Sequence, residues 1–298
     1  PFCVPGHPLA GTEHSGPEAA FPSLFRHKKV ILTPHSTTNP EAMMSVRQLW
    51  ESVGANIELL DEQRHDYIYA SVSHTIQLLS SAYALALQGL PQENHHTIVQ
   101  HNDHHFQRFM RLAGSDPTMW RDIFITNSTN IHTTTEAFIQ CLNTLRTHIL
   151  NGEVSRLEKR FEAARKKHQY FHSLRRKDAN ITPSEHQYHD LPDTAQSWLD
   201  SLPQLIGCAV MECIAESEYD YATGSGLHSV TRALLFDDNN TACTMVTQAD
   251  TLIAAMNHYL EYITHLLVAI KSHHATDIQA QLEQAQHIYQ TFIAVENI

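Results

Sequence analysis

The spacing of apolar positions changes near residue 61, and that change divides the chain. Residues 29–33, KVILT, form a short apolar run closed by Pro34, the pattern of a buried strand. Asn39 followed by Pro40 marks a helix start: an asparagine side chain accepts an orphan backbone N–H, and proline at the first helical position forfeits no hydrogen bond. Met43, Val46, Trp50 and Val53 then recur on one helical face, and Gly54 ends the pattern. Residues 55–61, ANIELLD, read as a second strand. The three pieces predict one strand–helix–strand unit, the smallest part of a parallel α/β sheet.

From Glu62 to about residue 170 every strong pattern is helical. ASVSHTIQLLSSAYALALQG is apolar almost all round, which predicts a central, buried helix. A long helical stretch starts near Pro117, with Asp116 as its cap, and EVSRLEKRFEAARKKHQYF is amphipathic. Residues 173–190 are polar, charged and proline-containing, and read as a linker. The helical pattern then appears a second time. With an offset of 121, Arg111 meets Arg232, Thr126 meets Thr247, Leu145 meets Leu266, Ile149 meets Ile270, Ala164 meets Ala285 and Phe171 meets Phe292, without a gap. Upstream, SHTIQLLSSA pairs with SLPQLIGCAV, which sets Leu202 at the position of His74; further on, Thr241 takes that of Trp120. Helical periodicity alone yields some apolar matches. The unbroken register from residue 111 to residue 171 favours a doubled domain over chance.

Composition narrows the function. The 298 residues suffice for two domains, and the 42% apolar and 17% charged content is that of a globular chain. A net charge of −12 leaves no basic excess to neutralise phosphates, which argues against a general nucleic-acid binder. Five cysteines, without a C-x-x-C pair, read as free thiols in a reducing compartment. No apolar run is long enough to span a bilayer and no signal peptide is recognisable, so a cytoplasmic location without a membrane partner is expected. Histidine is abundant at 23, but the runs at 94–96 and 101–105 lack the spacing of a metal motif and read as surface histidines; no metal is expected.

The chemistry concentrates in the stretch GHPLAGTEHSG, residues 6–16. With LF…ILTP, LWESVGA, HDYIYASVSH and RLAGSDPTMWRDI following in order, it resembles the prephenate/arogenate (cyclohexadienyl) dehydrogenase family from about residue 6 to residue 171. The resemblance implies oxidative decarboxylation of prephenate or arogenate with NAD or NADP on the route to tyrosine, and tyrosine as a possible feedback ligand. It implies a mainly α fold, with residues 1–61 as the C-terminal portion of a Rossmann-like α/β domain and 62–172 as the helical dimerisation domain; the internal repeat adds 173–190 as linker and 191–298 as a degenerate second helical copy. In such a reaction hydride leaves the ring carbon bearing the hydroxyl while the ring carboxylate departs as carbon dioxide. The protein needs an acceptor for the hydroxyl proton and cations for the carboxylates. By resemblance, His7 meets the hydroxyl as hydrogen-bond acceptor or base, Glu13 orients the site, and Gly11 and Thr12 meet the cofactor. Ser73 and His74 face the pocket, Gln77 lies on the substrate side, and Arg111 pairs with the ring carboxylate.

Two positions depart from the family pattern. Gln77 stands where the family often has a second histidine, and Arg108 where it often has an acid, so the choice between keto-acid and amino-acid substrate is open, as is weakened activity. No G-x-G-x-x-G occurs, so the chain reads as part of a longer protein, cut inside its nucleotide-binding domain and inactive alone. A non-catalytic helical assembly or regulatory module derived from the enzyme is the other reading. The doubled helical region further predicts an intrachain pseudo-dimer of 62–172 with 191–298, with further self-association left open.

Overall fold

The computed structural model describes residues 2–10, 16, 18, 20–101, 104–174, 191–222, 225–235 and 240–294. The chain forms two compact units, Pro1–Tyr69 and Ala70–Ile298.

The first unit holds a three-stranded sheet in the order β1 (Gly6–Pro8), β2 (Lys29–Leu32), β3 (Asn56–Leu59). The predicted unit is there: β2 and β3 run parallel, joined through helix α1 (Pro40–Ser52). Asn39 accepts the Ala42 N–H through its side-chain oxygen at 3.0 Å, and Gly54 takes the left-handed conformation, φ +80°, that lets the chain turn back into β3. Val30 and Leu32 are fully buried, and with Ala55 they form the core onto which Met43, Val46 and Trp50 of α1 pack. Val53 is 41% exposed instead of sharing that face. It lies one residue beyond the helix, where the helical period no longer holds. β1 was not expected: it pairs antiparallel with β2 and sets His7 opposite Ile31. Helix α2 (Glu62–Tyr69) completes the unit.

The second unit is helical throughout its described residues. It opens with a π-turn, Ala70–His74, followed by α3 (Thr75–Gln88), α4 (Gln92–Gln100), α5 (His104–Met110), a 3₁₀ turn Arg111–Gly114, α6 (Pro117–Thr126), α7 (Ser128–Leu150) and α8 (Val154–Leu174). Then come α9 (Asp193–Gln196), a second π-turn Ser197–Ser201, α10 (Leu202–Cys213), α11 (Ser225–Thr231), a 3₁₀ turn Arg232–Leu235, α12 (Thr241–Thr247), α13 (Ala249–Lys271) and α14 (Ala275–Ala294), with a further 3₁₀ turn, Glu216–Tyr221, after α10.

The core sits around α3 and α10, as their all-round apolar sequences require. α3 packs against α13 and α14, α10 against α7 and α8, and α7 against α13. Tyr83, fully buried, donates its hydroxyl to the Trp198 carbonyl, and Tyr259 donates to the Leu79 carbonyl at 3.0 Å. These bonds satisfy polar groups that would otherwise cost stability in an apolar core.

The stretch from Pro117 does not form one helix. Asp116 caps α6 through the Met119 N–H at 2.9 Å, but the chain leaves helical geometry at Asn127, φ −108° and ψ 28°, before α7 begins. Asn127 spends its side chain on bonds to other residues of the site described next, a competition with regular helix typical of asparagine.

Candidate active site

His7 stands in a compact aromatic cluster of the first unit. Its Nδ1 is 3.0 Å from Nε2 of His65, and His65 Nδ1 is 2.9 Å from the Asp66 carboxylate. The rings of His7 and His65 both lie against Tyr69, at centroid distances of 4.5 and 4.6 Å. These contacts order the protons. A carboxylate only accepts, so His65 carries its proton on Nδ1. With both rings neutral, His65 Nε2 is then the acceptor, and His7 donates to it from Nδ1. A neutral His7 is left with a bare Nε2, the form of a proton acceptor. Burial, and secondarily the repulsion of His65, lower the His7 pKa from 6.5 to about 4. His7 is therefore neutral at pH 7, with an unprotonated ring nitrogen that can accept a proton.

His65 and Tyr69 were not singled out from the sequence, although they lie within the HDYIY block. Their separation of four residues, one turn of α2, was the available signal.

The second unit carries the other described candidates. From Ile68 to Leu87 every residue is buried except Ser73 and His74, at the end of the first π-turn. The wider turn rotates these two out of an otherwise enclosed helix, a common use of π geometry at functional positions. Asn127 accepts from Asn130 Nδ2 at 2.8 Å through its carbonyl oxygen, so its amide nitrogen faces His74 Nδ1 at 3.1 Å. His74 Nδ1 is thus an acceptor, and neutral His74 carries its proton on Nε2, the opposite tautomer to His7. Trp120 stands edge-on to His74 at 6.1 Å.

Arg111 is half-buried at the start of its 3₁₀ turn. Three groups hold that turn. Gln77 Nε2 donates to the Leu112 carbonyl at 2.8 Å, Gln286 Nε2 donates to the Gly114 carbonyl at 3.2 Å, and the Tyr289 ring presses on Gly114 so closely that an added Cβ would lie 2.3 Å from a ring carbon. Burial raises the Tyr289 pKa while the Arg111 charge opposes it, which places the two groups within electrostatic reach. Gln77 is only 2% exposed, and through its bond to Leu112 it braces the turn that carries Arg111. Arg108, on α5, is exposed.

Gly11, Thr12 and Glu13 lie outside the described residues. The connection from β2 to α1, TPHSTTN, contains no glycine, and the Asn39 side chain occupies the helix start. The described residues therefore do not fit a dinucleotide diphosphate, which needs a glycine-rich turn and open backbone N–H groups. Among the described residues no group of three or more His, Cys, Asp or Glu is placed to hold a metal ion, and no helix is long and apolar enough to cross a membrane.

Residues 2–59 match the family model described as prephenate dehydrogenase, nucleotide-binding domain, and residues 61–163 match prephenate dehydrogenase, dimerization domain. Cyclohexadienyl dehydrogenase of Zymomonas mobilis is 32% identical over 163 residues, covering 55% of this chain and 56% of the relative. Prephenate dehydrogenase of Bacillus subtilis is 30% identical over 192 residues, 64% of this chain and 50% of the relative. The crystal structure of Synechocystis arogenate dehydrogenase superposes with a TM-score of 0.51 at 25% identity, over 56% of this chain and 61% of that one. The chain thus spans about half the length of the curated relatives it matches. With both domain models matched in order and the histidine strand, the π-turn and the arginine turn all inside them, the chain belongs to the prephenate dehydrogenase family.

Proposed function

We propose that this chain supplies the substrate-binding and proton-accepting side of an NAD(P)-dependent dehydrogenase acting on prephenate or arogenate. The observation that carries the reading is the Asp66–His65–His7 relay, which leaves His7 with a bare Nε2 at neutral pH. A secondary alcohol on the substrate ring would lose its proton to that nitrogen, and the charge arriving on His7 would be shared through His65 with the Asp66 carboxylate. His74, with its proton on Nε2, would donate a hydrogen bond to the substrate, and Arg111 would hold a carboxylate in a charge-assisted pair. Glu13 would tune the charge of the site, Ser73 would line it, and Gly11 and Thr12 would meet the cofactor; these roles rest on the motif alone. The described residues give the dinucleotide no cradle.

The reading includes a doubled helical domain, residues 62–172 and 191–298 joined by 173–190. Several observations support it. The 3₁₀ turns at Arg111 and Arg232, the starts of α7 and α13, the starts of α8 and α14, and the left-handed residues Gly152 and His273 are all 121 positions apart. Each half has a π-turn leading into a buried helix, and each buried helix packs on the long helical pair of the other half. Aligning the π-turns sets Ser201, one residue before the Leu202 of the sequence pairing, at the place of His74, so the second copy lacks that histidine. Such a pseudo-dimer would use the dimerisation surface within one chain, leaving further self-association to another face.

The test is a calorimetric titration of the protein with prephenate, arogenate and tyrosine, alongside turnover of the complete gene product with NAD and NADP. Binding of prephenate or arogenate that Arg111→Ala weakens, together with turnover that His7→Asn sharply lowers, is the expected result. A non-catalytic module would bind neither substrate and reduce neither cofactor.

A further inference from the structure

Two thiols that the dehydrogenase chemistry does not use face each other inside the helical unit. Cys141 lies on α7 and Cys213 at the end of α10, and the Sγ atoms are 3.1 Å apart. A disulfide bond is about 2.0 Å long, so the two sulfurs need approach by only about 1 Å to bond. Both residues are half-buried, so a small reagent has access to them, whereas Cys208 on the same helix is fully buried. On the same side, Arg160 of α8 grips the Glu212 carboxylate through two hydrogen bonds, Nε to Oε1 at 2.7 Å and a second to Oε2.

We propose that Cys141 and Cys213 form a thiol–disulfide exchange site that takes a low-molecular-weight disulfide of the glutathione class and ends as an intramolecular disulfide tying α7 to α10. The local bonding divides the roles. The Cys213 thiol donates to Cys141, which, with the nearby Arg160, holds the Cys141 pKa below its ordinary value despite burial and Glu212. The same bond, together with burial, pushes Cys213 up. Cys141 is then the attacking thiolate and Cys213 the resolving thiol. The Cys141 thiolate attacks one sulfur of glutathione disulfide, whose S–S bond breaks, and one glutathione thiolate leaves. Cys213 then loses its proton and attacks the Cys141 sulfur, and the second glutathione leaves as a thiolate that takes up that proton. Two protein thiols are oxidised and one glutathione disulfide is reduced to two thiols, so the exchange balances without a further reagent. The product joins positions 72 residues apart, across the segment 175–190, and constrains the unfolded chain accordingly.

The experiment exposes the full chain to glutathione disulfide, blocks remaining thiols by alkylation, and maps tryptic peptides by mass spectrometry. The expected product is a linked pair of peptides containing Cys141 and Cys213, two hydrogens lighter than their sum. Its formation should raise the melting midpoint by about 5–10 °C. Cys213→Ser should stop at glutathione-modified Cys141, and Cys141→Ser should leave Cys213 unmodified over the same time. A wild-type protein that accumulates glutathione on Cys141 without the cross-link, or that reacts only at the exposed Cys3 and Cys243, overturns the proposal.

Discussion

Replacing His65 by glutamine tests the electrostatics of His7 directly. In the native protein the His7 pKa is lowered from 6.5 to about 4, chiefly by burial and secondarily by the like charge of His65. Glutamine keeps a hydrogen-bonding side chain but removes that charge. Because burial is the larger of the two causes, the substitution should recover less than half of the difference, raising the pKa by less than about 1.3. The same depression enters stability. Between the two pKa values the unfolded chain binds more protons at this site than the folded one, so stability falls as pH drops from about 6.5 toward 4 and is restored above it. Worked from the pKa values, His7 contributes on the order of 3 kcal/mol to the loss between pH 7 and pH 4, and His7→Asn should remove that part of the acid sensitivity. The assay is an NMR titration of the His7 ring Cε1 proton, assigned with His7→Asn, in the native and His65→Gln proteins. A native midpoint near 6.5, or a full return to 6.5 in His65→Gln, would refute the argument that burial dominates.

Other expectations follow from the same geometry. His7→Asn should lower turnover of the complete protein by roughly 10²–10⁴ with substrate binding nearly unchanged; equal turnover in steady-state assays would remove His7 from the mechanism. Arg111→Ala should raise the substrate KM far more than the cofactor KM, at a cost on the order of 2–5 kcal/mol if it leaves a buried carboxylate unpaired, and equal weakening of both would point to a structural role. Gly114→Ala would drive a methyl group into the Tyr289 ring, costing about 1–3 kcal/mol in denaturant unfolding and disturbing the turn beneath Arg111. An unchanged unfolding midpoint would mean that Tyr289 yields freely. Asn127→Ala should remove the donor that holds His74 Nδ1 as an acceptor, and the NMR signature of the His74 tautomer should then become mixed.

The elements that local chemistry specifies were legible in the sequence. Asn39 and Pro40 start α1, Gly54 ends it, and KVIL pairs in parallel with NIEL as the strand–helix–strand pattern requires. The central helix was readable from its unbroken apolar surface, and the family from ordered motif blocks. The break at Asn127, the two π-turns and the bracing role of Gln77 were not legible, because each depends on a partner far along the chain: His74 lies 53 residues from Asn127, and the Leu112 carbonyl 35 from Gln77. The state of His7 was likewise decided by tertiary structure. Its motif marked it as important, but its tautomer and lowered pKa come from His65, 58 residues away, and from burial. Sequence determines what each segment can bond to within a turn or two; proton positions and pKa values follow from charges and desolvation that exist only once distant segments meet.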